Sequence, residues 1–364
     1  MAGVISLPKM FSGIPLGASS ALGISSGDGF KGGVSYFGNR DPKHVKRDMK
    51  DIVAHGCSFV VHTFSEVDYH YYTKAMKEIV NISHDLGLTV YIDPWGVGGV
   101  FGGEAFSRFV MKNPDKTQRL ADGKNVPSAC LNRRSFYNFM KSWVDKAAET
   151  GADVLFWDEP HFYIPRNVWR KKQGPNEWAC RCDLCMSLFR ERFGRVMPKV
   201  MDKDVIKFRD ESIVAFFEGI TEYGAGLKMK NALVMLPEES YLTGVSSWET
   251  LVSLKYIDIF GTDPYWIIFR KDLDSYVRDA SKKVMEISKK YGKEPQMWVQ
   301  AYKVPAGRES EVGLAVDVIG DEGIRNIAAW SYRGGAPMNL KSDNPNLVWK
   351  VLGEAFLRAQ RLYG

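Results

Sequence analysis

A short β-branched or aromatic run, a polar loop and an amphipathic helix recur eight times along this chain. That alternation limits the fold more than any other feature, because strands joined by helices run parallel and need cover on both faces. The runs fall at 33–37, 57–63, 88–93, 152–158, 232–236, 256–262, 296–301 and 326–331. Stretches such as VLFW and IAAW are continuously apolar, as in strands buried on both sides. The helices are punctuated as expected. Asp41-Pro42 supplies a cap and a first-turn proline, Val45, Met49, Ile52 and Val53 form one apolar face, and Gly56 ends the segment. Further helices are predicted at 69–86, 205–223, 273–291, 311–319 and 344–363. Phe136, Phe139, Met140, Trp143, Val144 and Ala147 give another, closed by Gly151.

Eight such units predict an α/β (β/α)8 TIM barrel, and 364 residues accommodate one with insertions. The competing fold, an open doubly wound sheet, would carry a glycine-rich phosphate turn after its first strand. Here that strand runs into Tyr36-Phe37-Gly38-Asn39-Arg40. The expected organisation is a lead-in over 1–30, one barrel domain over 31–364, and an insertion at 160–204 after strand four. With a single Lys, a proline inside its apolar part and no convincing cleavage site, the lead-in is expected to be a structured or loosely ordered start to the chain and not a leader peptide. No apolar run reaches 18 residues, so no membrane-spanning helix is expected. The net charge of +6 comes without a dense basic stripe, which argues against a nucleic-acid partner.

In such a barrel, chemistry belongs where strands hand over to the following loops. Those junctions read His62, Asp93-Pro94-Trp95, Trp157-Asp158-Glu159-Pro160-His161, Pro237-Glu238-Glu239, Asp263-Pro264-Tyr265-Trp266, Gln300-Ala301-Tyr302 and Trp330-Ser331-Tyr332-Arg333. Flat aromatic faces stack on sugar rings and carboxylates hydrogen-bond hydroxyls, so this rim predicts a carbohydrate partner. Two adjacent carboxylates directly after VLFW are costly beside an apolar core unless they are used. Glycoside hydrolysis needs a proton donor and a second group. Glu159 is the predicted acid, with Asp158 and Asp263 as candidates for the second role. His62, Asp93, Trp95, His161, Tyr265, Trp266, Gln300, Trp330 and Arg333 are the candidate sugar-binding residues. Each also has a structural reading, since aromatics cap barrel cores and acids cap helices.

The cysteines carry a separate signal. Cys180, Cys182 and Cys185 are too close in sequence for mutual disulfides and have the spacing of metal ligands. Cys130 is the expected fourth ligand, and Cys57, opening strand two, reads as a core thiol. Four thiolates leave no open position, so the expected Zn is structural. Free thiols at this density fit a reducing compartment, hence a cytoplasmic expectation. The six histidines lack the spacing of a catalytic zinc site, and Gly96-x-Gly98-Gly99 lacks that of a nucleotide loop.

The segment from Cys130 to Trp266 resembles the family-forty-two β-galactosidases. The likeness lies in the Cys180-x-Cys182-x-x-Cys185 run with its following Phe-Arg stretch, in CLNRRSFYNFMKSWVDKAAETGADVLFWDEP, and in IDIFGTDPYW. It implies a retaining glycosidase on an α/β barrel, a zinc bound by these cysteines with one from an earlier loop, and an acid/base role for Glu159. Asp158 stands where that family has Asn. The family's strand-seven nucleophilic Glu has no counterpart in Met297-Trp298-Val299-Gln300-Ala301-Tyr302. Three mechanisms remain. In a hexosaminidase-like route the substrate acetamide is the nucleophile and Tyr265 assists. Alternatively Asp158 is the nucleophile and Asp263 the acid, or Asp263 activates water. The rival to an enzyme is a carbohydrate-binding barrel that has lost hydrolysis. The sequence leaves a homo-oligomer open.

Overall fold

The computed structural model describes residues 29–164, 177–240 and 244–364. Eight parallel strands close into a barrel: β1 (Lys31–Tyr36), β2 (Cys57–Thr63), β3 (Thr89–Asp93), β4 (Val154–Asp158), β5 (Lys230–Met235), β6 (Ile259–Thr262), β7 (Glu294–Gln300) and β8 (Asn326–Trp330). Each strand pairs with the next in sequence, and Gly33 opposite Ala328 closes β1 onto β8. A side chain at Gly33 would sit 2.1 Å from the Phe59 ring, so the barrel closes around that ring only with glycine there.

Alternation along the strands sorts side chains into two layers. Phe59, Val61, Tyr91, Phe156, Val234 and Trp298 fill the barrel interior. Val60, Ile92, Leu155 and Leu233 face outward and join the helices in the larger core. The helices begin and end as their punctuation requires. Asp41 caps Pro42–Ala54 by accepting from Lys43 N–H, and Asp272 caps Leu273–Tyr291 by accepting from Ser275 N–H. On Arg134–Glu149 the buried stripe is Phe136, Met140, Trp143, Val144 and Ala147, with Phe139 packed at its edge.

Three departures have local causes. The helix expected at 69–86 opens as a π turn, Asp68–Tyr72, before Thr73–Asp85. Asp68 is occupied there, accepting from Arg40 and from Ser65. The long loop after β3 carries a two-stranded hairpin, Thr117–Arg119 with Asn125–Ala129, and a short helix, Arg108–Lys112. Within the expected insertion, Asp183–Phe193 is helical, and the helix expected at 205–223 extends over Lys203–Gly226. The expected lead-in falls on residues outside the described part apart from its last two, and the insertion is described from 177 onward after a first stretch ending at 164. Among the described residues no helix is long and apolar enough to cross a membrane.

Candidate active site

The carboxyl ends of the strands open into a cavity of about 1130 Å3. Its floor is the top of the barrel interior, including Val61, Phe156, Val234 and Trp298. Four carboxylates converge on it from the ends of three strands. Asp93 ends β3, Asp158 ends β4, Glu159 follows it, and Asp263 follows β6. Glu104 and Glu238 stand at the wall. Three near-parallel rings flank the mouth, with Trp330 centred 4.8 Å from Trp95 and 5.2 Å from Phe37.

Adjacent residues at a strand end normally diverge. Here Asp158 and Glu159 both reach the cavity because Glu159 adopts φ 39°, a left-handed conformation that side chains disfavour. Its N–H donates to Val234 O at 2.9 Å, which ties the turn to β5. Asp158 is set from the other side by the glycine loop. Gly102 N–H donates to Asp158 O at 2.9 Å, and a Cβ on Gly102 would lie 2.1 Å from Asp158 Oδ2. The loop thus approaches the carboxylate as closely as it does only with glycine at 102.

The acids hold their protons tightly. Burial, then the charges of Asp158 and Glu159, push Asp93 well above the usual carboxylate range. Burial and Glu159 do the same to Asp158. Glu159 and Asp263 interact side chain to side chain, a contact that pushes Asp263 up and draws Glu159 down, so a proton held by the pair favours Asp263. Burial raises both, and for Asp263 the Glu159 charge adds to it. Burial, followed by nearby carboxylates, also keeps the Tyr265 and Tyr302 phenols neutral. Asp93 Oδ1, Asp263 Oδ1 and Ser35 Oγ are buried without a hydrogen-bond partner among the described residues, and all three residues line the cavity. Orphaned acceptors of this kind are costly unless a ligand satisfies them.

The cavity gathers Asp93, Trp95, Asp158, Glu159, Asp263, Tyr265 and Trp330 from the sequence-derived set. The other five stand elsewhere. His62 points outward from β2, completely buried, with Nε2 3.0 Å from Ser83 Oγ and the Tyr36 ring edge-on. Burial pushes its pKa down to about 3. Gln300 accepts from Ile267 N–H and Ile268 N–H and donates to Tyr302 O, so it braces two loops. Trp266 is buried and donates to Glu311 Oε2 at 2.7 Å. Arg333 pairs with Asp51, Nε to Oδ2 3.3 Å. His161 lies behind the acid, its Nδ1 against Glu159 O, and burial lowers its pKa. Strand parity explains His62, since odd-numbered β2 residues Phe59 and Val61 face in. Tyr302, Glu104, Arg270 and Lys303 line the cavity although they were outside that set. Tyr302 was legible in the strand-seven junction. The other three sit on loops whose course no periodicity encodes.

The four predicted cysteine ligands meet. Cys130 follows the hairpin, and Cys180, Cys182 and Cys185 lie at the start of Asp183–Phe193. All four are buried, with sulfurs within 4.8 Å of one another. Cys130 Sγ is 3.6 Å from Cys185 Sγ and 3.7 Å from Cys182 Sγ. Those separations are far longer than a disulfide bond. They match the edge of a tetrahedron with metal–sulfur bonds of about 2.3 Å, which is about 3.8 Å. Asn132 Nδ2 donates to Cys185 Sγ at 3.4 Å, the kind of outer contact that orients a ligand. The set can hold a metal ion. Cys57 is a buried thiol at the start of β2, apart from this group.

The fold and mouth define a parallel (β/α)8 barrel with a carboxylate-lined cavity. Solved structures with the same fold include the endo-1,4-β-mannanase of Rhizomucor miehei, at TM-score 0.61 and 11% identity over 91% of this chain and 95% of that one. The endo-β-1,4-mannanase of Thermotoga petrophila aligns at TM-score 0.55 and 11% identity, covering 91% and 77%. A putative α-L-fucosidase of Bacteroides thetaiotaomicron aligns at 0.54 and 8%, covering 96% and 99%. Neither a protein-family model nor a curated protein matches the chain. The likeness to family-forty-two β-galactosidases therefore rests on the cysteine segment and the strand ends alone.

Proposed function

We propose that this protein is a glycoside hydrolase acting on an oligo- or polysaccharide, with the Glu159–Asp263 pair as proton donor. The observation that carries the reading is the convergence of four carboxyls, Asp93, Asp158, Glu159 and Asp263, on one open cavity, where burial raises the pKa of each. A binding site gains nothing from such a cluster, whereas a leaving glycosidic oxygen needs its proton. We take the two, which interact side chain to side chain, as one proton-holding unit and not as opposed groups flanking a water. β7 contributes no acid to the cavity, because Gln300 is committed to backbone contacts.

The electrophilic carbon is then met by the substrate itself. An acetamide oxygen at the neighbouring sugar carbon attacks as the glycosidic bond breaks, a carboxyl oxygen of Asp158 accepts the acetamide N–H, and the Glu159–Asp263 pair delivers its proton through Glu159 to the departing oxygen. Water opens the cyclic intermediate and returns a proton to the carboxylate. Tyr265 and Tyr302 supply neutral hydroxyl donors. Trp95 and Trp330 offer a ring platform for a sugar face. The cysteine set suits a structural Zn, remote in role from the reaction, and its free thiols fit a cytoplasmic setting. Chromogenic N-acetylhexosaminides and plain hexosides, run on the wild type and on Glu159→Gln, test the reading. Turnover of the acetamido substrates alone, lost in the variant, is the expected result. Sugar binding without turnover of any glycoside would instead identify a binding barrel.

A further inference from the structure

Five residues other than glycine hold a positive φ among those described: Glu159, Lys228, Arg270, Lys303 and Arg333. Three of them line the one cavity at the strand ends. The first is the proposed acid. The other two are long cations, Arg270 at φ 55° and Lys303 at φ 51°. Backbone in this region favours glycine, and a side chain there carries a strain that clusters at functional sites.

Neither position needs its side chain for the fold. Arg270 is the left-handed residue closing the short helix Trp266–Phe269, where its N–H donates to Ile267 O and the next N–H reaches back to Trp266 O. Glycine is the usual occupant of that position. Lys303 is anchored through its backbone N–H to Leu340 O at 3.0 Å. Both side chains are exposed, and neither makes an ion pair among the described residues. Lys271 beside them is different, since it lies 3.6 Å from Glu238.

The cations also sit together at the mouth. Asp93, Asp158 and Glu159 come from neighbouring strands β3 and β4, while Arg270 and Lys303 follow the neighbouring strands β6 and β7; the one acid on that side, Asp263, interacts with Glu159. Neutral hydroxyls make no demand for two free cations on one wall. A fixed negative charge on the bound sugar does.

We propose that the substrate carries an anionic group, a carboxylate or a sulfate ester, on a sugar held against the β6–β7 side of the cavity, where Arg270 and Lys303 receive it. This deepens the glycosidase reading and rests on it for the identity of the ligand as a sugar.

The test is binding by calorimetry to the Glu159→Gln protein, which removes turnover from the readout. The probes are an oligouronate hexamer and its carboxyl-reduced counterpart, and a sulfated galactan oligosaccharide and its desulfated counterpart. One anionic probe should bind about tenfold tighter than its neutral partner, and the gap should shrink as salt rises. Which pair shows the gap identifies carboxylate or sulfate. Arg270→Gly and Lys303→Gly should erase the gap while the thermal midpoint holds or rises, because glycine relieves both backbones. Equal binding of charged and neutral partners, or no binding of any, would overturn the proposal. So would glycine variants that weaken both partners alike. Anion-selective binding with no cleavage of any glycoside by the wild type would sink the hydrolase reading and leave this one standing.

Discussion

Glu159, following β4, and Asp263, following β6, meet at the barrel mouth and interact side chain to side chain. Burial penalises the charged form of both, and the contact pushes Asp263 further up while drawing Glu159 down. On the proposed reading, this contact makes a single donor of two acids that could otherwise have flanked a substrate.

Removing the donor should abolish turnover while leaving sugar binding in place. Glu159→Gln is expected to lower kcat by about 10²–10⁴-fold. Because both pKa values are raised, the protonated donor persists above the normal carboxylate range, and kcat should fall as pH rises through the pair's ionisation. A pH–rate profile with its descending limb at the ordinary pKa of an exposed glutamate would refute the arrangement.

The same burial has a cost in stability with a definite sign. Asp93, Asp158 and Asp263 have folded-state pKa values above their unfolded values, so their contribution is present below the unfolded pKa and is lost as pH rises through the folded one. Asp263→Asn should therefore stabilise the protein at pH 7 to 8, by about 1–3 kcal/mol, while destroying activity. Denaturant melts of both proteins across this range measure it.

His62 works in the opposite direction. Its pKa falls on folding to about 3, so the stability it contributes is present above its unfolded pKa and is lost as pH falls below about 6.5. His62→Ala should cost about 2–4 kcal/mol through the lost packing and the Ser83 contact. At neutral pH, kcat/KM of the remaining folded protein should be unchanged. A selective loss of KM would place the imidazole in sugar binding after all.

Gly102→Ala is a sharp steric probe, since its Cβ would lie 2.1 Å from Asp158 Oδ2. The carboxylate or the loop must move, and a displacement of about 1 Å in a catalytic group costs about 10²-fold in rate. Thermal stability should change far less than turnover.

The cysteine set should bind one Zn per chain, measured by elemental analysis, and Cys185→Ser or a strong chelator should release it. Loss of the metal should cost several kcal/mol of stability, since a structural site's binding energy is folding energy. An unchanged melting profile after complete chelation would leave the four thiols with no structural metal role.

The helices and strands were legible because period and punctuation are local. Leu273–Tyr291 and Cys57–Thr63 fall where capping residues and β-branched runs predicted them. The Trp157-Asp158-Glu159 step was legible for a similar reason, as charge set directly against an apolar run. His62 and Gln300 were not, because a strand-end residue one position out of phase faces the helix layer and not the mouth. Glu104, Arg270 and Lys303 escaped because no periodicity encodes the course of their loops, and Lys303 is held by the distant Leu340 O.

The amino-acid order alone determined the eightfold repeat, the barrel, the acid pair on β4 and the four cysteines, since all of these are written in neighbours and spacing. Only the closed tertiary structure decided that Asp263 meets Glu159, that β7 presents no acid to the cavity, and that Arg270 and Lys303, in no ion pair among the described residues, stand at its wall. Those facts depend on which side chains from separate strands meet at the mouth, and no stretch of sequence holds both partners.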